Sequence, residues 1–169
     1  MDITKLSKIY QVCKLSERDI DSVLELCLGN PLYYQFFPPI ETKESIARDM
    51  VARPTGTTSD DKYYLGIYDG VKLIAVLDLI LNYPDKNTAF IGFFMVSADC
   101  QKRGLGTVLI KDIIDCLYAN GYEYTRLGYV KGNPQPRAFW HKNGFTETGI
   151  ETNIEGNTIV VLQRSNRCY

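Results

Sequence analysis

The sequence predicts an α/β (α+β) fold in which helices flank a mixed, largely antiparallel central sheet. Apolar runs between residues 63 and 96 are separated by turn sequences at 69–70 (Asp-Gly) and 84–87 (Pro-Asp-Lys-Asn), which predicts three consecutive antiparallel strands. Apolar residues recur at helical spacing over about 105–119, and a further strand is predicted over 124–130. Strands joined first by short turns and then by a crossover helix form one mixed sheet. The three antiparallel strands are expected over 63–68, 72–81 and 88–96.

The chain is predicted to begin with an edge strand and a capped helix. Residues 7–14 alternate in polarity as an edge strand does. Ser16 and Asp19 have the spacing of a capping box, with Asp in place of the more usual Glu. Apolar residues at helical spacing follow, and Asn30-Pro31 is expected to end this helix because the residue before a proline disfavours the helical conformation.

The remaining elements complete one domain over residues 1–169. The proline-bounded aromatic segment 32–39 is predicted to be a loop or a short helical turn, and a second helix is predicted over about 42–50. Near the C-terminus we expect a helix over about 134–142, followed by two short strands. A chain of this length buries enough surface for a single core.

The composition excludes several classes of protein. With 45% hydrophobic residues, 23% charged residues and a formal net charge of −1, the chain has no basic excess to favour nucleic acid. No window approaches the ~20 apolar residues of a membrane span, and no apolar signal segment is visible. The sequence therefore predicts a cytoplasmic protein that binds neither nucleic acid nor membrane.

Metal and thiol chemistry are also disfavoured. Five cysteines are scattered without Cys-x-x-Cys spacing, and His141 is the single histidine. A zinc site or a Cys/His nucleophile pair is therefore not expected, and the thiols are predicted to be reduced. Cys100 is expected to be an ordinary loop residue, and His141 a solvent-exposed one.

A glycine-bearing loop is the most informative local feature. Residues 101–106 read Gln-Lys-Arg-Gly-Leu-Gly and lie between a predicted strand and a predicted helix. Such a loop directs unpaired N–H groups and the positive end of a helix dipole at one point, which suits a phosphate or pyrophosphate. Gly104 and Gly106 permit close approach, and Lys102 and Arg103 add positive charge. A phosphorylated cofactor is therefore expected.

Two motifs together resemble a known family. The strand, the loop 101–106 and the following helix resemble the acetyl-CoA-binding motif of the Gcn5-related N-acetyltransferases (GNAT). Downstream, the strand Leu-Gly-Tyr-Val at 127–130, then Asn133, then a short helix closing in Gly-Phe at 144–145 resemble the later motif of that family. Both motifs have the expected order and spacing, so the resemblance covers nearly the whole chain.

The resemblance implies a cofactor site between two splayed central strands, 88–97 and 124–130. The pantetheine arm of acetyl-CoA would pair with the first strand near Met95 and Val96, and a strand N–H near Met95 would stabilise the oxyanion. The pyrophosphate would lie on the glycine loop, and Asn133 would bind the pantetheine arm or a water. The implied cofactor residues are Met95, Val96, Gln101, Lys102, Arg103, Gly104, Gly106, Thr107, Asn133 and Trp140.

The chain departs from the family pattern at the general acid. The tyrosine that protonates the leaving thiolate in many members falls here at Trp140, whose indole N–H is not a useful acid. Tyr129 is either a substitute acid or an ordinary strand aromatic. The thiolate could also leave unprotonated or take a proton from water, and Trp140 would then pack against the cofactor.

Asp78 is the anomalous residue of an otherwise apolar strand. Alternation places it on one face with Ile74, Val76 and Ile80. A carboxylate in that position needs a partner, water or a chemical role. It is either a satisfied structural residue, or a general base or anchor for a cationic amine.

The acceptor is less well defined by the sequence. The aromatic segment after the first helix would form a wall of the acceptor pocket through Tyr33, Tyr34 and Phe37. Aromatic faces suit cations and flat groups, and core packing explains such residues equally well. No acidic cluster marks a polyamine or aminoglycoside site, so a small amine, an amino acid, an antibiotic and a protein amine all stay open.

The sequence therefore predicts an N-acetyltransferase that uses acetyl-CoA, without a metal, and direct attack by a small-molecule or peptide amine. The alternative is a catalytically inactive acyl-CoA-binding domain with a regulatory or sensing role, for which Trp140 is the best argument. A nucleotide-binding enzyme is disfavoured because neither nucleotide-loop motif is present. Monomer and homodimer are both compatible with the sequence.

Overall fold

The computed structural model describes residues 1–167, so that Cys168, one of the five cysteines, lies outside the described residues. The strands are β1 (Gln11–Lys14), β2 (Lys62–Asp69), β3 (Lys72–Ile80), β4 (Thr88–Val96), β5 (Tyr124–Val130), β6 (Thr146–Ile154) and β7 (Asn157–Ser165). The helices are α1 (Ile20–Leu28), α2 (Pro31–Phe36), α3 (Lys43–Asp49), α4 (Leu105–Ala119) and α5 (Pro134–Lys142).

The seven strands form one mixed sheet in the order β1-β2-β3-β4-β5-β7-β6. Neighbouring strands are antiparallel except for β4 and β5, which run parallel. The parallel pair is the one joined through α4, as a crossover helix requires. The predicted mixed, largely antiparallel sheet flanked by helices is confirmed.

Two apolar clusters lie on the two faces of the sheet. The larger contains the buried side of α4, with Leu109, Ile113 and Leu117 fully buried, together with Trp140 of α5. The smaller packs α1, α2 and α3 against the other face. The glycine loop and the aromatic segment therefore belong to opposite layers, with the sheet between them.

The two central strands separate along their length. β4 pairs with β5 from Thr88–Tyr124 to Ile91–Leu127, and pairing ends there although both strands continue. The edge of β4 that faces β5 is therefore not paired with it beyond Ile91. The splayed strands that the resemblance implies are present.

Several element boundaries differ from the sequence-based prediction. β1 begins only at Gln11, because the Ser7 hydroxyl accepts the N–H groups of Ile9 and Tyr10 and turns the chain before it. The segment predicted as a loop or helical turn contains α2, which Pro31 begins at the first helical position that suits proline. The two terminal strands have nine residues each and are not short.

Two bulges break the alternation of the central strands. Ile67 pairs with Ala75 and Tyr68 with Leu73, so Ile74 is an extra residue on β3. Ile74 consequently packs in the larger cluster, whereas Val76 packs in the smaller one. The expectation that Ile74 shares a face with Asp78 was wrong, because simple alternation takes no account of a bulge.

None of the helices among residues 1–167 is long and apolar enough to cross a membrane.

We expect Leu77→Ala to lower the free energy of unfolding by about 3 kcal/mol, because Leu77 is a fully buried residue of β3 and its loss leaves a cavity. Denaturant unfolding followed by circular dichroism measures the change. Val71→Ala removes a fully exposed side chain next to the same strand and should change the free energy by less than about 0.5 kcal/mol. Equal losses in the two variants would contradict this description of the core.

Candidate functional site

The glycine loop leads directly into α4. Gly104 has a φ of 82° and occupies the N-cap position, a left-handed conformation that favours glycine. The first N–H groups of α4 have no acceptor within the helix, and no side chain caps them. Lys102 and Arg103 are exposed beside them. This end of α4 has the features of an anion site.

Gly106 has a second, structural reason to be glycine. A Cβ built there would lie 3.0 Å from the ring of Phe139, so α5 packs tightly against the start of α4. Phe139 in turn stacks on Phe94 of β4 at 6.2 Å between ring centroids. The loop, α5 and the open part of β4 are thus held together, with Thr107 half-buried in the same turn.

Gln101 ties the loop to the end of β4. Its Nε2 donates to the Val96 carbonyl at 2.8 Å and to Asn30 Oδ1 at 2.6 Å. Asn30 Nδ2 donates to the same carbonyl at 3.3 Å. The side chain of Gln101 therefore positions the loop, and it also connects the loop to the start of α2.

The direction of the β4 backbone groups follows from its register with β3. The Ser97 N–H donates to the Ile74 carbonyl at 2.9 Å, and alternate residues of an antiparallel strand bond to the same neighbour. The Met95 N–H therefore faces β3, whereas the N–H groups of Phe94 and Val96 face β5. The sequence-based prediction omitted Phe94. Its backbone N–H faces β5, the direction that the prediction expected of the Met95 N–H.

A cavity of about 220 Å³ opens on the other face of the sheet. It brings together Tyr33 and Phe37 from the predicted acceptor wall and Asp78 from β3. It is lined by Tyr33, Phe37, Glu41, Asp49, Ala52, Lys62, Tyr64, Asp78, Gly92 and Phe93.

Asp78 forms a buried ion pair at the floor of this cavity. Lys62 Nζ lies 2.7 Å from Asp78 Oδ1, and the two side chains are only 6% and 12% exposed. Opposite them, β4 has an extra residue at Gly92, since Asp78 pairs with Phe93 and Leu79 with Ile91. A Cβ at Gly92 would lie 2.6 Å from Asp78 Oδ2, so glycine makes room for the carboxylate.

Burial raises the pKa of Asp78 to about 6, because the loss of solvation outweighs the attraction of Lys62. The negative charge of Asp49 acts in the same direction. A carboxyl group with such a pKa is mostly ionised at neutral pH and is nevertheless a better proton acceptor than an ordinary aspartate.

The fold assembles an acidic site that the linear sequence does not reveal. Glu41 and Asp49 line the same cavity as Asp78 although they are far from it in the chain. Burial and the neighbouring Glu41 raise the pKa of Asp49. The sequence shows no acidic cluster for a polyamine or aminoglycoside because these three carboxylates come from separate parts of the chain.

Tyr129 and Tyr34 do not line this cavity. The Tyr129 hydroxyl donates to Glu147 Oε1 at 3.2 Å, on β6, and its ring packs in the larger cluster. Tyr34 is 5% exposed and packs in the smaller cluster. Of the three predicted acceptor residues, Tyr33 and Phe37 share the cavity with Asp78.

Asn133 and Trp140 have structural roles in α5. Asn133 Oδ1 accepts the Gln135 N–H at 3.2 Å and caps the helix. Trp140 is 7% exposed and contacts the rings of Phe139 and Phe145 at 4.9 and 5.1 Å. Neither contact leads toward the cavity that holds Asp78.

The two other titratable candidates have ordinary surroundings. His141 is partly exposed on α5, with Nε2 3.6 Å from Glu147 Oε1. Partial burial and Asp99 raise the pKa of the Cys100 thiol, which disfavours a thiolate nucleophile.

Cys13, Cys27, Cys100 and Cys116 are free, and residues 1–167 contain no group of three or more His, Cys, Asp or Glu side chains able to hold a metal ion.

Sequence reasoning missed Lys62, Tyr64, Glu41, Asp49 and Gly92. A lysine or glutamate outside an apolar run carries no local signal of burial. Only the Asp78 carboxylate could have suggested that a cation lies beside it. That this cation is Lys62 depends on the register of β2 and β3, which pairs Tyr64 with Asp78 and so brings Lys62, two residues away on β2, close to the carboxylate.

Comparisons with known proteins identify the family and the fold of this chain. The profile of the Acetyltransferase (GNAT) family matches residues 30–145. An acetyltransferase structure from Thermus thermophilus superimposes with a TM-score of 0.72 at 19% identity, covering 92% of this chain and 96% of the other. The PaiA N-acetyltransferase of Thermoplasma acidophilum, in complex with coenzyme A, has a TM-score of 0.67 at 18% identity, covering 92% and 98%.

A chimera of Vibrio cholerae spermidine N-acetyltransferase SpeG and hSSAT is also similar, with a TM-score of 0.70 at 18% identity over 94% of this chain and 96% of the other. At these identities the structures establish the fold. The sequence search among curated proteins finds no match.

We expect Lys62→Met to raise the pKa of Asp78 above about 6, because the cation that stabilises the charged form is removed. Carboxyl ¹³C chemical shifts followed from pH 3 to 9 measure this pKa, with the resonance assigned by its loss in Asp78→Asn. Lys72→Met, which removes an exposed lysine paired with Asp99, should leave it unchanged. A lower pKa in Lys62→Met would contradict the ion pair.

Proposed function

Because this chain belongs to the acetyltransferase (GNAT) family, we propose that it is an N-acetyltransferase that moves an acetyl group from acetyl-CoA directly to a primary amine. One observation carries the proposal: the unpaired length of β4 lies between the glycine loop in one layer and the cavity with Asp78 in the other. A cofactor held by the loop and an amine held in the cavity would meet at this strand.

The residues of the loop fit the diphosphate of acetyl-CoA. The conformation of Gly104 leaves the first N–H groups of α4 open, and Lys102 and Arg103 supply positive charge. The Val96 carbonyl is already bonded to Gln101, so Phe94 and the Val96 N–H are the groups that would pair with an extended pantetheine arm. When bound, acetyl-CoA supplies a thioester whose acetyl group is activated for attack by an amine.

Asp78 is proposed to receive the proton of the attacking amine. Its carboxylate lies opposite Phe93, beside the unpaired part of β4, and its pKa of about 6 suits a base at neutral pH. A backbone N–H of Phe94 or Val96, directed into the gap between β4 and β5, would stabilise the charge that develops on the carbonyl oxygen.

Among residues 1–167, no side chain of the cavity is an obvious acid for the leaving thiolate. Trp140 occupies the place of the usual tyrosine, and Tyr129 is bonded to Glu147. Burial raises the pKa of Tyr64, so its hydroxyl is a weaker acid than an ordinary tyrosine and does not readily give up its proton at neutral pH. We propose that the thiolate leaves without an assigned protein acid and takes its proton from water.

The names of the similar structures support the choice of cosubstrate and acceptor. One of them was solved with coenzyme A, and another is a spermidine N-acetyltransferase. A small-molecule amine is therefore the first acceptor class to test. The single domain over 1–169, the cytoplasmic location and the choice between monomer and homodimer stay predictions.

Calorimetric titration with acetyl-CoA tests the cofactor site, with ATP and NAD as controls. We expect micromolar binding of acetyl-CoA and no comparable binding of the controls, because all three contain a diphosphate but only acetyl-CoA has a pantetheine arm that can pair with the open strand. Preference for ATP or NAD would overturn the assignment. Tight binding of acetyl-CoA without transfer to any amine would favour the alternative of an inactive acyl-CoA-binding domain.

We expect Asp78→Asn to lower kcat by about 100-fold, the lower range for loss of a general base, while the Kd for acetyl-CoA changes by less than about threefold. In the native protein kcat/KM should rise with pH through an inflection near pH 6, because the ionised carboxylate is the active form. The inflection should disappear in Asp78→Asn.

Asp112→Asn is the matched control, since Asp112 is also buried but lies in α4 on the other face of the sheet. It should retain the inflection near pH 6. Unchanged turnover in Asp78→Asn would remove Asp78 from the mechanism.

A further inference from the structure

The cavity that holds Asp78 has an excess of negative charge. Lys62 is the one lysine or arginine among its described lining residues, and it is already paired with Asp78 at 2.7 Å. Glu41 and Asp49 add two carboxylates that this lysine does not neutralise at contact distance. Glu155, in the turn between β6 and β7, is near enough to raise the pKa of Asp49 as well.

Asp49 and Tyr64 have polar groups without protein partners in the cavity. Within residues 1–167 the half-buried Asp49 carboxylate makes no hydrogen bond or ion pair, whereas Glu41 accepts the Ser45 hydroxyl. The Tyr64 hydroxyl likewise has no hydrogen-bond partner in that part of the chain, although Tyr64 is 4% exposed. A polar group on a side chain as buried as Tyr64 normally has a partner, so its hydroxyl indicates a ligand able to form a hydrogen bond. The half-buried Asp49 carboxylate, which lines the same cavity, favours a ligand that donates hydrogen bonds.

The rest of the wall is aromatic. Tyr33 contacts Phe37 and Phe93 edge to face, with ring centroids 6.3 and 5.9 Å apart. Ring faces attract ammonium groups, and more strongly where water is excluded. Carboxylates and aromatic rings around one space both attract an organic cation.

We propose that Glu41 and Asp49 form a subsite for a second positive charge on the acceptor, which is therefore a short amine with two cationic groups. This inference rests on the proposed acetyl transfer. The reacting nitrogen lies at Asp78, beside the unpaired part of β4, and the distal ammonium lies between Asp49 and the aromatic wall, within reach of the Tyr64 hydroxyl.

The dimensions of the cavity favour a small acceptor. Its volume of about 220 Å³ is below the roughly 300–1,000 Å³ of pockets that enclose drug-sized ligands. An acceptor with a carboxylate at the distal end is disfavoured, since Glu41 and Asp49 would repel it. Among the acceptor classes left open by the sequence, small amines fit best and free amino acids fit poorly.

Three amines test the charge of the distal group, and two of them have the same number of non-hydrogen atoms. They are 1,4-diaminobutane, 1-aminopentane and 4-aminobutanoate, in which the distal group is an ammonium, a methyl group and a carboxylate; the first two differ in charge but hardly in size. Thiol release with acetyl-CoA gives kcat/KM for each. We expect the diamine to exceed the monoamine by at least tenfold, and 4-aminobutanoate to be the poorest acceptor.

Asp49→Asn should lower the ratio of kcat/KM for the diamine to that for the monoamine by at least tenfold, because an isosteric amide removes the charge alone. Asp60→Asn is the control, since Asp60 is exposed and does not line the cavity, and it should leave the ratio unchanged. Thermal unfolding of both variants verifies that each is folded.

The outcomes separate this inference from the proposed function. Equal kcat/KM for diamine and monoamine, or a ratio unaffected by Asp49→Asn, would overturn the subsite while acetyl transfer stands. If no amine is acetylated, calorimetric titration of 1,4-diaminobutane into the protein saturated with CoA tests whether the dication subsite is present. Binding that Asp49→Asn weakens at least tenfold supports a dication subsite in a protein without this activity, and absence of binding overturns it.

Discussion

The site depends on the separation of β4 from β5 beyond Ile91 and Leu127. A sheet normally satisfies the backbone groups of its central strands through both neighbours, and here one edge of β4 lacks its neighbour in the middle of the molecule. At the end of that edge, the Val96 carbonyl is held by Gln101 and Asn30. An extended ligand can add to the sheet along the open length before it, as a strand would.

The strand β4 also presents side chains to both layers of the fold. Phe94 stacks on Phe139 in the layer of the glycine loop, whereas Phe93 packs on Tyr33 in the layer of the cavity. Adjacent residues of one strand thus reach both sides because successive side chains alternate. Asn30, at the start of α2, accepts a hydrogen bond from Gln101 of the glycine loop, so α2 and the loop are connected at the end of this strand.

The buried pair of Lys62 and Asp78 is the second organising feature. Two desolvated charges seldom contribute much net stability, and this pair faces a cavity in place of a closed core. The bulge at Gly92 is required for it, since a side chain there would occupy the space of the carboxylate. A bulge, a glycine and an ion pair with no obvious gain in stability lie at one point, which is where local rules are expected to yield to function.

The sequence by itself determined the order and type of nearly all elements, the position of the glycine loop at 101–106 and the anomaly of Asp78, because these depend on periodicity, turns and caps within a few residues. The sequence predicts only a loop or a short helical turn where α2 lies, and it gives no sign of the bulge at Ile74, because strand register is not local. Only the tertiary structure decided that Lys62 partners Asp78, that Glu41 and Asp49 join it, and that Tyr129 faces Glu147 instead. Those contacts join residues far apart in the chain, and their geometry is set by strand order and by the packing of α2 and α3 on the sheet.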